Sequence, residues 1–304
     1  MMRGWAYLAV ILTCCLSSSV AEPRQTDWIR RLDGSTISIQ AADSFAKKTL
    51  DAAHVTGAQL AVLDRGRLVW SAAYGLRRRE PELPMDRETT TWAASITKSV
   101  FATYVVQLVE RGEFSLDEPV AKQLRQPLNE YQPYRETASE IVRDPAWLTV
   151  TPRMLLAHTS GLANFATIEP DKKMHLRFKP GTQFQYSGEG VNLVQFVIEQ
   201  KKQKPLDELM QDAIFTPLGM TRTGITYRKE FEADVADRYD TEEHFRSQTR
   251  RFPSRAAGSM TTSGATLPDS PRRFLRGRSS DLQREPPCCA RSFASIHFMS
   301  LQFA

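Results

Sequence analysis

The longest apolar period in this sequence runs from Ser95 to Gly112. Val100, Phe101, Tyr104, Val105, Leu108 and Val109 recur at three- and four-residue spacing, and Gly112 follows as a stop. The run predicts a helix with one apolar side, and that side needs a core to cover it. At 304 residues the chain is long enough for one large domain or two smaller ones. The mouth of the helix holds Ser95, Thr97 and Lys98.

Other segments surround this helix with mixed patterns. "ADSFAKKTLDAA" (42–53) spaces Ala42, Phe45, Leu50 and Ala53 as a helix does. "GAQLAVLDRGRLVWSAAYG" (57–75) sets two β-rich runs about Asp64-Arg65-Gly66 and predicts a hairpin. "RRREPELPMDRETT" (77–90) reads as a loop, "SLDEPVAKQL" (115–124) as a turn and short helix, and 126–147 as polar and irregular. "TPRMLLAHTSGL" (151–162) opens with a Thr cap and Pro at the first helical position and ends at Gly161. "FKPGTQFQYSGEG" (178–190) holds two turn signals around a short β-like stretch. "VNLVQFVIEQ" (191–200) and "LDELMQDAIFTPLGM" (206–220) predict two more helices.

The two ends differ from this body. "MMRGW", "AYLAVILTCCL" and "SSSVA" give a basic start, an apolar stretch and a small-residue finish, the pattern of a secretory signal peptide cut after Ala21. No other run approaches the roughly 18 apolar residues of a membrane span. The expected location is therefore secreted or periplasmic. Residues 268–304 hold six Arg, six Ser, four Pro and no Lys, without a sustained period. They read as a disordered tail or the product of a shifted reading frame. The expected division is thus 1–21 signal, 22–267 domain and 268–304 tail.

Charge and cysteines exclude several functions. The net charge is +5, and with both ends set aside residues 22–267 carry about +1, so no nucleic-acid groove is expected. Cys14 and Cys15 leave with the signal, and adjacent Cys288 and Cys289 offer neither a disulfide framework nor zinc spacing. The five His are scattered, so no metal and no cofactor are expected.

Ser95 and Lys98 are the candidate chemistry. Residues three apart share a helix face, so Lys98 can reach the Ser95 hydroxyl. A helix start also offers free N–H groups and a dipole that favour developing negative charge. The spacing alone is common, and Ser44-Phe45-Ala46-Lys47 repeats it within a predicted helix. The other reading of the stretch is a capping serine with a solvated lysine. His158 suggests a Ser-His-Asp triad, but no G-x-S-x-G elbow accompanies it. No Gly-rich loop leads into "TKS", which excludes a P-loop.

Six pieces in order carry a resemblance: "AVLDRGRLVWSAAYG", "SITK", "TPRMLLAHTSGL", "FKPGTQFQYSGEG", "IFTPLGMTRT" and "AAGSMTT". From about residue 40 to 266 they resemble the serine β-lactamase and penicillin-binding protein superfamily. The similar branch holds class C β-lactamases, D-alanyl-D-alanine carboxypeptidases and related esterases. The resemblance implies an α/β fold of the α+β type, an antiparallel sheet with flanking helices and a helical subdomain. It makes Ser95 the acylated nucleophile, Lys98 its proton acceptor and Tyr186 the relay to the leaving group. Ser187 and Gly188 are implied to line the substrate site, with Gly188 standing where relatives often have Asn. His158 is implied to sit in a structural helix-to-loop corner.

The resemblance also implies a third motif, Lys or His then Thr or Ser then Gly, on a strand beside the nucleophile. No such strand is visible after residue 267, and "TSG" at 262–264 follows "AAGSM" too directly to serve. The sheet is therefore expected to be incomplete toward the C-terminus, with the 57–75 hairpin exposing an edge and an apolar face. The expected function is an exported monomeric serine hydrolase acting on a β-lactam, a D-Ala-D-Ala peptide or a small ester. The alternative is a non-catalytic binding homologue or an inactive truncated fragment.

Overall fold

The computed structural model describes residues 27–266 apart from 66, 241, 251 and 252. The expected signal peptide and tail lie outside these residues. The chain opens with strands β1 (Trp28–Arg30) and β2 (Thr36–Ser38), which pair antiparallel, and helix α1 (Ile39–Ala52). Ser38 caps α1 by accepting the Ala41 N–H, which starts the helix three residues before the apolar pattern does.

The predicted hairpin forms from β3 (Gly57–Asp64) and β4 (Arg67–Arg78), in register from Gly57↔Gly75 to Asp64↔Arg67 with a bulge at Val62/Leu63. Gly75 has φ 69°, and a side chain there would run into the Thr56 carbonyl, so the strand crossing needs glycine. One face of the hairpin is covered: α1 and β1 close over Trp70, with Ile29 and Ala46 completing a small core. Among the described residues β3 has only β4 as a ladder partner. The segment predicted as loop (77–90) instead contains the end of β4, then β5 (Leu83–Pro84), which pairs back onto it.

Strand β6 (Thr90–Trp92) then delivers the chain to helix α2 (Ile96–Glu110), the long helix expected from the sequence. Phe101, Tyr104, Val105 and Leu108 are buried, and Gly112 ends the helix with φ 68°. After α3 (Val120–Gln123), the 126–147 region holds single 3₁₀ turns that bury Leu128, Tyr134, Ile141 and Trp147. Its polar composition hid these widely spaced anchors. α4 (Pro152–Leu156) has the predicted Thr151 cap, which accepts the Met154 N–H at 3.3 Å, but stops well before Gly161.

The β-like stretch expected within 178–190 does not become a strand. No ladder is present there, and helix α5 (Gly188–Lys202) begins inside it. Ser187 is its cap, accepting the Gly190 N–H at 2.9 Å, and Glu189 sits favourably in the first turn. α5 is buried from Val191 through Ile198, including its two polar positions. Asn192 Oδ1 and Gln195 Oε1 accept the N–H groups of Ala257 and Ala256 at 3.0 and 2.7 Å, which satisfies the two buried oxygens, while Asn192 Nδ2 is buried without a partner. α2 and α5 thus share one large core with α6 (Leu206–Met210) and a π turn that continues to Phe215. Strands β7 (Asp237–Tyr239) and β8 (Phe245–Gln248) form a short pair, and β9 (Thr261–Ser263) pairs with β6.

Candidate active site

The β6–β9 pair aims the chain at Ser95. Trp92 pairs with Thr261, and the Trp92 indole donates to the Gly258 carbonyl at 2.5 Å. Ala94 then takes φ 44°, a left-handed conformation that an alanine adopts only under constraint. Thr97 supplies the constraint: its hydroxyl donates to the Ala94 carbonyl at 2.5 Å and accepts the Met260 N–H at 3.2 Å. A sharp turn therefore presents Ser95 at the start of α2.

The capping reading of Ser95 fails, because its side chain makes no bond to the helix backbone. Its Oγ instead accepts from Lys98 Nζ at 3.1 Å and from the Tyr186 hydroxyl at 2.9 Å. Lys98 Nζ also donates to the Ala257 carbonyl at 2.5 Å and lies 4.9 Å from the centre of the Tyr186 ring. The lysine is held between three groups rather than solvated. Among the described residues the Ser95 N–H donates to nothing, so it is free to receive an oxyanion.

Tyr186 titrates below an ordinary phenol. Burial pushes it up, but hydrogen bonding by Lys98 and Ser95 together with the Lys98 charge outweighs that. His158 lies against its ring, with centroids 4.6 Å apart. His158 Nδ1 accepts the Ser187 N–H at 3.1 Å, and its carbonyl accepts the Gln185 N–H at 2.8 Å. Burial and then the Lys98 charge push its pKa down, so it is neutral. With φ 59°, and with Nδ1 and its carbonyl both bonded to the 185–187 backbone, it braces the segment that carries Tyr186, and among the described residues it has no hydrogen bond to Ser95. That is the corner role expected for it.

Ser187 and Gly188 differ from expectation. Ser187 is fully buried, and its hydroxyl is spent on the Ala163 carbonyl at 2.7 Å and the Gly190 N–H. It caps α5 and does not line the opening. Gly188 donates its N–H to Asn164 Oδ1 at 2.8 Å, and a Cβ there would lie 2.7 Å from two Phe165 ring carbons. The asparagine that relatives often carry at this position has no room here.

Sequence reasoning missed Thr97, Asn164 and the Ala257 carbonyl. Thr97 lay within "SITK" and Ala257 within "AAGSMTT", but a backbone oxygen carries no residue signal. The "TSG" triplet (262–264) is spent on structure: β9 pairs with β6, and the Gly264 N–H donates to Gln59 Oε1 at 3.1 Å. Among the described residues no group of three or more His, Cys, Asp or Glu is arranged to hold a metal, and no helix is long and apolar enough to cross a membrane.

The Beta-lactamase family profile matches residues 42–283, past the composition break at 267. Esterase EstB of Burkholderia gladioli is 29% identical over 225 residues, 64% of this chain and 54% of the esterase. Penicillin-binding protein 4 of Amycolatopsis lactamdurans is 30% identical over 180 residues, 55% of this chain and 44% of that protein. The octameric penicillin-binding protein homologue from Pyrococcus abyssi superposes with a TM-score of 0.61 at 26% identity, over 79% of this chain and 56% of that one. A class C β-lactamase superposes at 0.60 with 18% identity, over 77% and 62%, a likeness of fold. The chain spans about half the length of the two curated relatives. The expected monomer gains no support, since one similar structure is an octamer. The α/β fold with antiparallel strands and a helical region is the expected one, and with most of its length matched this chain belongs to the Beta-lactamase family.

Proposed function

We propose that the protein is a serine hydrolase that transfers an acyl group through Ser95, acting on a small ester, a D-Ala-D-Ala peptide or a β-lactam. The contact of Lys98 and Tyr186 on one serine oxygen carries this reading. With Tyr186 as phenolate, the 2.9 Å contact reverses and the Ser95 hydroxyl donates to it. Ser95 Oγ attacks the carbonyl carbon, its proton passes to the Lys98–Tyr186 pair, and the carbonyl oxygen takes negative charge beside the Ser95 N–H. As the intermediate collapses the pair returns the proton to the leaving group. Water attacks the acyl-enzyme by the same route in reverse and restores the Ser95 hydroxyl. The esterase relative favours the ester among the three substrates.

A non-catalytic binding homologue is the second reading. It is favoured by one observation: among the described residues only the Ser95 N–H is placed for the oxyanion. A fluorophosphonate probe separates the two. Labelling that disappears in Ser95→Ala supports the hydrolase, and a folded protein that takes no label supports the binder. Export is part of the proposal and predicts a mature secreted chain that begins at Glu22.

A further inference from the structure

We propose that Asn192 is a positioning residue for Lys98. Its side-chain oxygen holds Ala257 so that the Ala257 carbonyl keeps the Lys98 ammonium against the Ser95 hydroxyl. The inference rests on the hydrolase reading above, in which Lys98 takes part in moving the Ser95 proton.

Lys98 has to be held if it is to act. Its ammonium rides on a flexible four-carbon stem, and the helix fixes only the near end of that stem. Nζ is 3.1 Å from Ser95 Oγ and 2.5 Å from the Ala257 carbonyl oxygen. Of these two partners only the carbonyl stays unchanged during acyl transfer. The place of that carbonyl therefore decides where Nζ points.

The segment around Ala257 is fixed from two sides. Toward β6 and α2, the Gly258 carbonyl accepts from the Trp92 indole and the Met260 N–H donates to the Thr97 hydroxyl. Toward α5, the Ala256 N–H donates to Gln195 Oε1 at 2.7 Å and the Ala257 N–H to Asn192 Oδ1 at 3.0 Å. Of these bonds, only the one to Asn192 grips the residue whose carbonyl holds Lys98. Peptide units are planar, so only the φ and ψ of Ala257 lie between the Asn192 bond and the Lys98 contact.

The two amides on α5 are employed differently. Gln195 also donates to Glu199 Oε1 at 3.1 Å and to the Ser254 carbonyl at 3.2 Å, which makes it a strut between helix and loop. Asn192 is buried, and its Nδ2 has no partner. The orientation follows from chemistry, because the Ala257 N–H can face only the oxygen. An unpartnered buried donor is unfavourable. A leucine of similar size would fill the space without it, but would leave the Ala257 N–H unheld. What asparagine adds at this position is its oxygen, and that oxygen is bonded to Ala257.

The test measures p-nitrophenyl butyrate hydrolysis by the full chain. Fluorophosphonate labelling taken to completion counts the competent sites, so kcat is expressed per site. Asn192→Leu removes the oxygen at nearly constant volume, and Asn192→Asp keeps an oxygen at the same place in either protonation state. In Asn192→Leu, kcat is expected to fall about 10- to 100-fold with KM unchanged within about twofold, the scale of a displaced reacting group. In Asn192→Asp, kcat is expected to stay within about threefold of the wild type. A merely structural asparagine would lower the number of labelled sites and leave kcat per site alone, and that outcome overturns the inference. An Asn192→Asp enzyme slower than the wild type by about tenfold or more also overturns it, even where Asn192→Leu does not fold. A wild-type chain that takes no label and does not hydrolyse the ester overturns the hydrolase reading, and the inference falls with it. A labelled wild type together with an undiminished kcat in Asn192→Leu removes the inference alone.

Discussion

The helical region and the N-terminal hairpin are built to different standards. Around α2 and α5, Phe101, Val105, Leu193, Val194 and Val197 are sealed from solvent, and helix faces meet from several directions. In the cluster over the hairpin only Trp70 of β4, Ile29 of β1 and Ala46 of α1 are buried, while the hairpin's Leu60, Val62, Val69 and Ala72 are partly covered. Every group that touches Ser95 or fixes Lys98 comes from the first region or from the 256–260 segment packed on α5. The chemistry is anchored where the packing is deepest, and the hairpin can loosen without moving a reacting atom. Position matters here more than amount: a rate step demands tolerances that only over-determined side chains provide.

The largest effect that tests this separation is Ser95→Ala. It removes the nucleophile while leaving the fold intact, and labelling and hydrolysis are expected to fall to background with an unchanged melt. Residual labelling at another serine would place the chemistry elsewhere and break the link between α2 and function. Phe101→Ala is next and is structural. Emptying a fully buried aromatic site is expected to cost about 3–5 kcal/mol in urea unfolding. Trp70→Ala deletes a larger side chain but is expected to cost only about 2 kcal/mol, because its neighbours are half-open. Its Ser95 labelling should persist. Equal costs at the two positions would show that the hairpin is as tightly built as the helical core.

Tyr186→Phe sharpens the chemical half. The ring still packs on His158, but the proton relay is lost, and kcat is expected to fall roughly 10²–10³-fold with little change in KM. A variant that keeps its rate would assign the proton to Lys98 alone. In the wild type the phenol titrates below its usual value, so the rate should rise with pH at a lower pH than a free phenol allows. A neutral side chain in Lys98→Met removes that stabilising charge and should shift the rise upward.

The same contrast decides what was legible in the sequence. α2 announced itself because its apolar stripe is local, and Ser95 and Lys98 share one turn of it. The 178–190 segment was misread because Phe184 and Tyr186 alternate like a strand between turn residues. In the structure Phe184 is 70% exposed and Tyr186 is 37% exposed, so the alternation marks a rim and not a sheet face. Ser187 gave no sign of its burial, since its partner Ala163 lies 24 residues away and is met only when the loop folds back. The bond from Lys98 to Ala257 spans 159 residues and ends on a carbonyl, which no residue pattern encodes. Local periods were readable, and contacts that need closure of the chain were not.

The smallest expected effect lies at His158, and it separates the two regions by pH. Its pKa is pushed below the ordinary value by burial and by the Lys98 charge, so the folded state holds it neutral. The unfolded chain protonates it at about 6.5. The unfolded state therefore binds more protons as pH falls below that value, and the stability contributed by neutral His158 is present above it and lost toward acid. His158→Asn tolerates φ 59° and can still accept the Ser187 N–H, but it cannot titrate. Melting curves at pH 7.5 and 5.5 should show a smaller acid loss in this variant than in the wild type. The ring lost from beside Tyr186 should appear separately, as a lower melt at both pH values. An identical acid loss in the two proteins would show that its source is a group other than His158.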